Sequence, residues 1–362
     1  MARPLLAVQV EVTSRCTRRC AVCPRGALAA SWRDGDLGEA AWGAIVPGLR
    51  LARHVHLQGW GEPLLHPRLP AMAAAAKAAG CEVGITTNGD LLDDAIDWIL
   101  DLGVDVVTVS VAGTGRSAAL RGGRSFAGAV AGAGELARRA GRRGRPRVQL
   151  SYMLTRENLH ELEEAVTVAA AGGIREVFAV HLDYTPVAAL AALAVFADAT
   201  ILDGVAEAQR AAGRAADALG VRFRPAVTAP RDMLVCALDP TRIAFISWDG
   251  RVGPCAYLLP PVDAAARASG PGGGPDGEPV WYGSVPDERL DAILAGAARQ
   301  RFVAPFRVRL EAEESFASAA AHAGFGSVAV ERVAAADRRR DEVLRSHPFP
   351  AACAACHKRR GW

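Results

Sequence analysis

Residues 11–25 read EVTSRCTRRCAVCPR, and three of the chain's eight cysteines, Cys16, Cys20 and Cys23, fall inside them. Chance would place cysteines at both +4 and +7 of another with probability on the order of 0.004, so the cluster needs a chemical reason. Intervals of three and two residues let a short loop wrap its thiolates around one soft metal centre, whereas zinc usually takes four protein ligands. Three thiolates on an iron–sulfur cubane leave one iron without a protein ligand, open to a small molecule.

Working outward, the cluster directly follows the first of six short apolar runs. These are LLAVQVEVT (5–13), HVHLQGWG (54–61), EVGITTNG (82–89), VDVVTVSVAG (104–113), VQLSYMLT (148–155) and EVFAVHLD (176–183). Stretches with helical spacing separate them, such as LPAMAAAAKAAG and DDAIDWILDLG, the latter ending at Gly103 as a helix C-cap does. Strands joined by such helices run parallel with right-handed crossovers. The expected class is therefore α/β: a partial (β/α)6 barrel of parallel strands with a small C-terminal α+β extension. The polar C-terminal ends of the strands become the candidate site.

Beyond residue 185 the pattern changes. An Ala-rich helical segment (187–219) leads to RIAFISWDGRVG, read as two short strands about a two-residue Asp-Gly turn. SGPGGGPDGEP (269–279) reads as a flexible surface loop, and the remainder as helical up to the closing CAACHKRRGW. The expected divisions are 1–185, 186–235 and 236–362.

Composition limits the functional classes. With 362 residues, 51% of them hydrophobic, the chain can bury a substantial core. A formal net charge of +3 and one short Arg-rich run without aromatics, RRAGRRGRPR, give a nucleic-acid role no support. The longest Ala-rich runs are broken by Arg, Asp and Gly, so no membrane span is expected, and the N-terminus does not read as a signal peptide. A cytoplasmic setting is expected, with thiols reduced and free for metal.

The C-x3-C-x2-C stretch after a first strand resembles the signature of the radical S-adenosylmethionine (SAM) superfamily. GWGEPLLHP after the second run resembles that family's Gly-Gly-Glu segment, with Trp60 in place of its first glycine; TTNG after the third and Ser110 at the fourth also fit. The resemblance implies that Cys16, Cys20 and Cys23 hold a 4Fe-4S cluster whose open iron takes SAM. It further implies that Trp60, Gly61 and Glu62 meet the methionine end, Asn88 and Ser110 the sugar end, and the backbone of Val22 the adenine. Two other departures are Val22, where an aromatic often precedes the third cysteine, and Ala112, where an acidic residue is common.

Four later cysteines, Cys236, Cys255 and the Cys353-x2-Cys356 pair, resemble the twitch form of the SPASM extension. That implies a second, auxiliary 4Fe-4S cluster with four protein ligands. Zinc would satisfy four thiolates equally well, and the upstream signature favours iron. Cys81 has no partner spacing and reads as core. His54, His56 and His66 read as structural, and Tyr152 as a weak candidate. His181 and Asp183, at the end of the sixth run and on one expected face, are candidate catalytic or substrate contacts.

The implied function is reductive cleavage of SAM to a 5′-deoxyadenosyl radical that abstracts a substrate hydrogen atom, with net oxidation of a peptide, protein or cofactor-enzyme substrate. The closing CAACHKRRGW resembles maturases associated with tungsten-cofactor oxidoreductases. The alternatives are a small-molecule dehydrogenase acting on a sugar-like alcohol and, outside enzymes, an iron–sulfur electron carrier. A first strand at the very start of the chain, with no module before it to grip a leader peptide, leans toward small molecules. The partners implied are an external electron donor of flavodoxin or ferredoxin type and the substrate, with no nucleic acid and no membrane.

Overall fold

The computed structural model describes residues 3–362 apart from 116, 118–119, 123–124, 232, 270–279 and 323–326. The expected flexible loop at 269–279 lies, but for Ser269, outside the described residues.

Six parallel strands form where the apolar runs were read: β1 (Leu5–Val10), β2 (Ala52–Leu57), β3 (Glu82–Thr87), β4 (Val106–Val111), β5 (Arg147–Leu154) and β6 (Glu176–His181). A seventh, β7 (Arg222–Arg224), pairs parallel to β6. Helices cross between them as expected, and Gly103 follows helix Leu92–Asp101 with φ +61°, a conformation that glycine adopts without a Cβ clash. The pleat sends Val8, Val55, Val83 and Val107 into the core. It sends Gln9, Thr86 and Ser110 to the other face, where they line a cavity.

The Asp-Gly hairpin forms as β8 (Ile243–Ile246) and β9 (Arg251–Gly253), and two features were not foreseen. The turn is a three-residue loop, Trp248–Gly250, closed by Ser247 N–H donating to the Arg251 carbonyl at 2.9 Å, with Gly250 at φ +87°. A Cβ on Gly250 would fall 2.1 Å from the Val285 carbonyl oxygen, which explains the glycine. In addition, β8 pairs parallel to β1, so one sheet runs β10-β9-β8-β1-β2-β3-β4-β5-β6-β7, with β10 at Gly283–Ser284. Residues 225–242 thus link the β7 edge to the opposite flank of the sheet, and they carry Cys236.

The Ala-rich segment 187–219 is broken rather than continuous. A short helix at Ala188–Ala191 gives way to 3-10 turns, and helix Leu202–Leu219 follows. Asp198 interrupts it by accepting the Thr200 N–H at 3.0 Å, while Phe196 turns inward against the His357 and Trp362 rings. Near the C-terminus, helices Ala297–Ala321 and Ser327–Ser346 pack on each other before the last two cysteines. No helix among the described residues is long and apolar enough to cross a membrane.

Three strand ends are tied by one buried acid. Glu11, just past β1, accepts the Trp60 N–H at 2.8 Å and the Trp248 N–H at 3.2 Å, joining the ends of β1, β2 and β8. Burial pushes its carboxyl from 4.5 up to about 8. Between these values the folded protein keeps a proton that the unfolded chain has lost, so stability falls as pH rises across the window. Glu11→Gln is expected to flatten that slope in urea midpoints measured from about pH 5 to about pH 8. An equally steep slope in the variant would place the proton elsewhere.

Candidate functional site

The three-cysteine loop has little regular structure of its own and is held by its neighbours. The Arg18 guanidinium, its side chain 3% exposed, donates twice to Asp90, at 2.9 and 2.6 Å. Thr17 Oγ1 donates to Asp90 at 2.8 Å and accepts from Asn88 Nδ2 at 2.9 Å. Arg15 forms a bidentate pair with Asp36 on the outer side. The charge-assisted, partly buried Arg18–Asp90 bonds fix the loop more firmly than a surface ion pair does.

Gly61 lets the β2 end approach this loop. A Cβ there would lie 2.3 Å from the Thr13 carbonyl oxygen and 2.5 Å from that of Arg15. Next to it, Glu62 is buried and accepts three bonds: Thr87 Oγ1 at 2.8 Å, Asn88 N–H at 2.6 Å and Leu64 N–H at 3.1 Å. Burial raises its pKa, and these bonds oppose the rise. Asn88 is spent on the loop as well, since Nδ2 also points at Cys16 Sγ, 3.6 Å away.

A cavity of about 390 Å³ gathers Cys16, Cys20, Cys23, Val22, Trp60, Gly61, Glu62, Asn88, Ser110, His181 and Asp183, every residue read from the sequence for the first site. A second cavity of about 170 Å³ gathers Cys236, Cys255, Cys353 and Cys356. The two share Asp183, Tyr184, Leu238 and Tyr257 as a common wall.

The thiols behave as crowded, buried groups. Burial, with help from neighbouring cysteine charges, pushes Cys23 up to about 11 and Cys255 to about 12. Cys20, Cys236, Cys353 and Cys356 are also raised, chiefly by burial. A metal that takes thiolates relieves both the burial and the mutual repulsion, and all-sulfur donor sets suit iron–sulfur clusters or zinc. The residues of both sites therefore fit such a centre. Among the described residues, no three His, Cys, Asp or Glu side chains close around a single ion.

The sixth strand differs from expectation in its facing. Register pairs Leu154 with His181 and Met153 with Val180, so Leu182, not His181, continues the row that faces the cavity with Met153. His181 sits at the cavity edge among Phe196 and Trp362, with Nε2 2.6 Å from the Val227 carbonyl. That contact makes Nε2 the protonated nitrogen; burial lowers the ring's pKa, and Nδ1 has no partner among the described residues. Asp183 has both oxygens engaged, by the Tyr257 hydroxyl at 2.6 Å and by Lys358.

Tyr152, a weak candidate, and the cysteine and histidines read as core or structural lie apart from these two cavities. Tyr152 is buried and donates to the Asn158 carbonyl at 2.9 Å. The Cys81 thiol donates to the Leu49 carbonyl in the core. His56 bonds Thr86, His66 contacts the Leu37 carbonyl, and His54 pairs with Glu82 at the surface.

Sequence reasoning missed Arg121, Arg18, Tyr257 and Lys358. Arg121 lines the first cavity, donates to Ser110 Oγ at 2.8 Å, accepts the Cys20 thiol on its carbonyl, and keeps a buried Nε with no partner among the described residues. It offers a cation to an anionic ligand group. An arginine eleven positions beyond Ser110, in a loop, has no local signal that would find it. Lys358 could have been noticed as a basic residue two positions past the last cysteine.

Residues 10–169 match the model of the Radical SAM superfamily. The chain is 28% identical over 266 residues, 69% of its length and 70% of the relative's, to the tungsten-containing aldehyde ferredoxin oxidoreductase cofactor-modifying protein of Pyrococcus furiosus. It is 29% identical over 180 residues to the PqqA peptide cyclase of Methylorubrum populi, covering 48% of this chain and 45% of that one. Native anSMEcpe with bound AdoMet shares the fold with a TM-score of 0.60 at 13% identity, over 94% of this chain and 97% of that one.

Proposed function

The chain carries a Radical SAM superfamily domain over residues 10–169, and from that premise we propose that it is an enzyme modifying a peptide, protein or enzyme-bound cofactor precursor, with net oxidation. The observation that carries the reading is the gathering of Cys16, Cys20, Cys23, Glu62 and Ser110 in one cavity that shares a wall with a second, four-cysteine cavity. With a 4Fe-4S cluster and SAM in the first site, reduction by an external flavodoxin- or ferredoxin-type donor supplies a 5′-deoxyadenosyl radical able to remove a hydrogen atom from an unactivated carbon.

The chain's own residues bind and orient. Cys16, Cys20 and Cys23 hold the metal, and the Arg18–Asp90 pair holds their loop. Glu62, fixed by three donors, meets the ammonium end of SAM; Ser110 and Arg121 face its hydroxyl and carboxylate groups. Asn88 acts through the loop, since its side-chain amide is already bonded to Thr17. Val22 and Leu182, packed in one apolar cluster with Cys20, would flank the adenine of bound SAM. Tight walls matter because the radical must meet the substrate carbon before solvent.

Residues 1–185 form the radical core in this reading, 186–235 a connection, and 236–362 the auxiliary-cluster region. A cavity of about 390 Å³ accommodates roughly one drug-sized molecule. SAM and the cluster would share that space, which suits a substrate that presents only a side chain or one end. That supports a peptide or protein substrate over a free sugar alcohol, as does the name of the PqqA peptide cyclase.

The test is SAM cleavage. Anaerobically reconstituted, dithionite-reduced protein is expected to form 5′-deoxyadenosine slowly without substrate, and Glu62→Ala to lower that rate at least tenfold with iron content intact. Cleavage that continues unchanged would remove Glu62 from the SAM site, and no cleavage by wild type would defeat the enzyme reading.

A further inference from the structure

We propose that Lys358 and Asp183 form an electrostatic joint that sets how readily the four-cysteine site takes up an electron, with Tyr257 holding the carboxylate in place. The inference rests on the reading above that this site holds an iron–sulfur cluster.

Asp183 follows β6 and belongs to the wall common to both cavities. The two groups that engage it come from two of the chain segments that supply the site's cysteines. Tyr257, two residues after Cys255, donates its hydroxyl to Oδ1 at 2.6 Å, and Lys358, two residues after Cys356, pairs with Oδ2. One carboxylate at a strand end thus gathers both halves of the quartet.

The wall is firmly packed. The Tyr184 and Tyr257 rings stack at 5.3 Å, and Trp60 lies 4.7 Å from Tyr184. Trp60 Nε1 also donates to the Ala256 carbonyl at 3.2 Å, tying the β2 end to the Cys255 loop. The tryptophan that replaces the family's usual glycine is therefore a fastener between the two sites.

The ion pair is shielded, with side-chain exposures of 17% for Lys358 and 11% for Asp183. Charges so placed act on their surroundings more strongly than surface pairs. Each electron added to a cluster held by four thiolates adds negative charge. A nearby ammonium favours that reduced form and a nearby carboxylate disfavours it. Together the two largely cancel, and removal of either leaves the other uncompensated.

Opposite signs follow. In full-length reconstituted protein, titrated with dithionite and followed by electron paramagnetic resonance, Lys358→Met is expected to make the second cluster at least tenfold harder to reduce, 59 mV for one electron. Asp183→Asn is expected to make it easier to reduce, the double variant to return close to wild type, and Lys358→Arg to match wild type. A pair that only braces the tail would move all variants in one direction or none, and either result overturns the joint. Should Lys358→Met lose iron, the sign of Asp183→Asn and the match of Lys358→Arg decide the matter. Wild-type protein with a single cluster would instead overturn the reading of the second site, and the joint with it.

Discussion

Replacing Cys16, Cys20 and Cys23 together with alanine is expected to abolish 5′-deoxyadenosine formation and to lower the iron of the reconstituted protein from about eight to about four per chain. Several of the loop's anchors do not involve the thiols: Arg18 holds Asp90, Arg15 holds Asp36, and Glu62 N–H donates to the Arg15 carbonyl at 2.8 Å. The variant should therefore keep the fold and the second cluster. Activity retained by this variant, or stoichiometric zinc in the remaining site, would contradict the assignment.

The reciprocal change, Cys353→Ala with Cys356→Ala, is expected to remove the other half of the iron and to leave substrate-independent SAM cleavage in place. With substrate present, the oxidised product formed per 5′-deoxyadenosine should fall toward zero, because the electron left on the substrate has no acceptor. That ratio does not depend on how much enzyme survives reconstitution. A ratio equal to wild type would reduce the second site to a brace, and parallel loss of every step would show that it shapes the barrel mouth.

Much of this arrangement was legible in the sequence, for a physical reason. Parallel strands covered by helices read as apolar runs, and their polar ends, GWGE, TTNG and VSVAG, mark where the chain leaves the core. The cysteines could be read because their spacing is local. What escaped reading depends on register and on distance along the chain. The facing of His181 turns on the β5–β6 register, which pairs it with Leu154 and so sets it on the face opposite Met153. The parallel pairing of β8 with β1 joins residues more than two hundred apart, and nothing in RIAFIS announces its partner. Arg121, Tyr257 and Lys358 reach the cavities from loops, where neither periodicity nor a motif tells one arginine or lysine from another.

The second cysteine site also has a topological consequence. Cys236 lies in the segment that leads into β8, whereas Cys353 and Cys356 follow the long helical hairpin of Ala297–Ala321 and Ser327–Ser346. A metal centre spanning them closes the whole intervening chain into a loop, as a disulfide would, and so restricts the unfolded ensemble more than any local contact can. Unlike a disulfide, such a cross-link survives the strong reductants that radical chemistry demands. It can form only after Cys353 and Cys356 have been synthesised, so everything before them folds first without the cross-link.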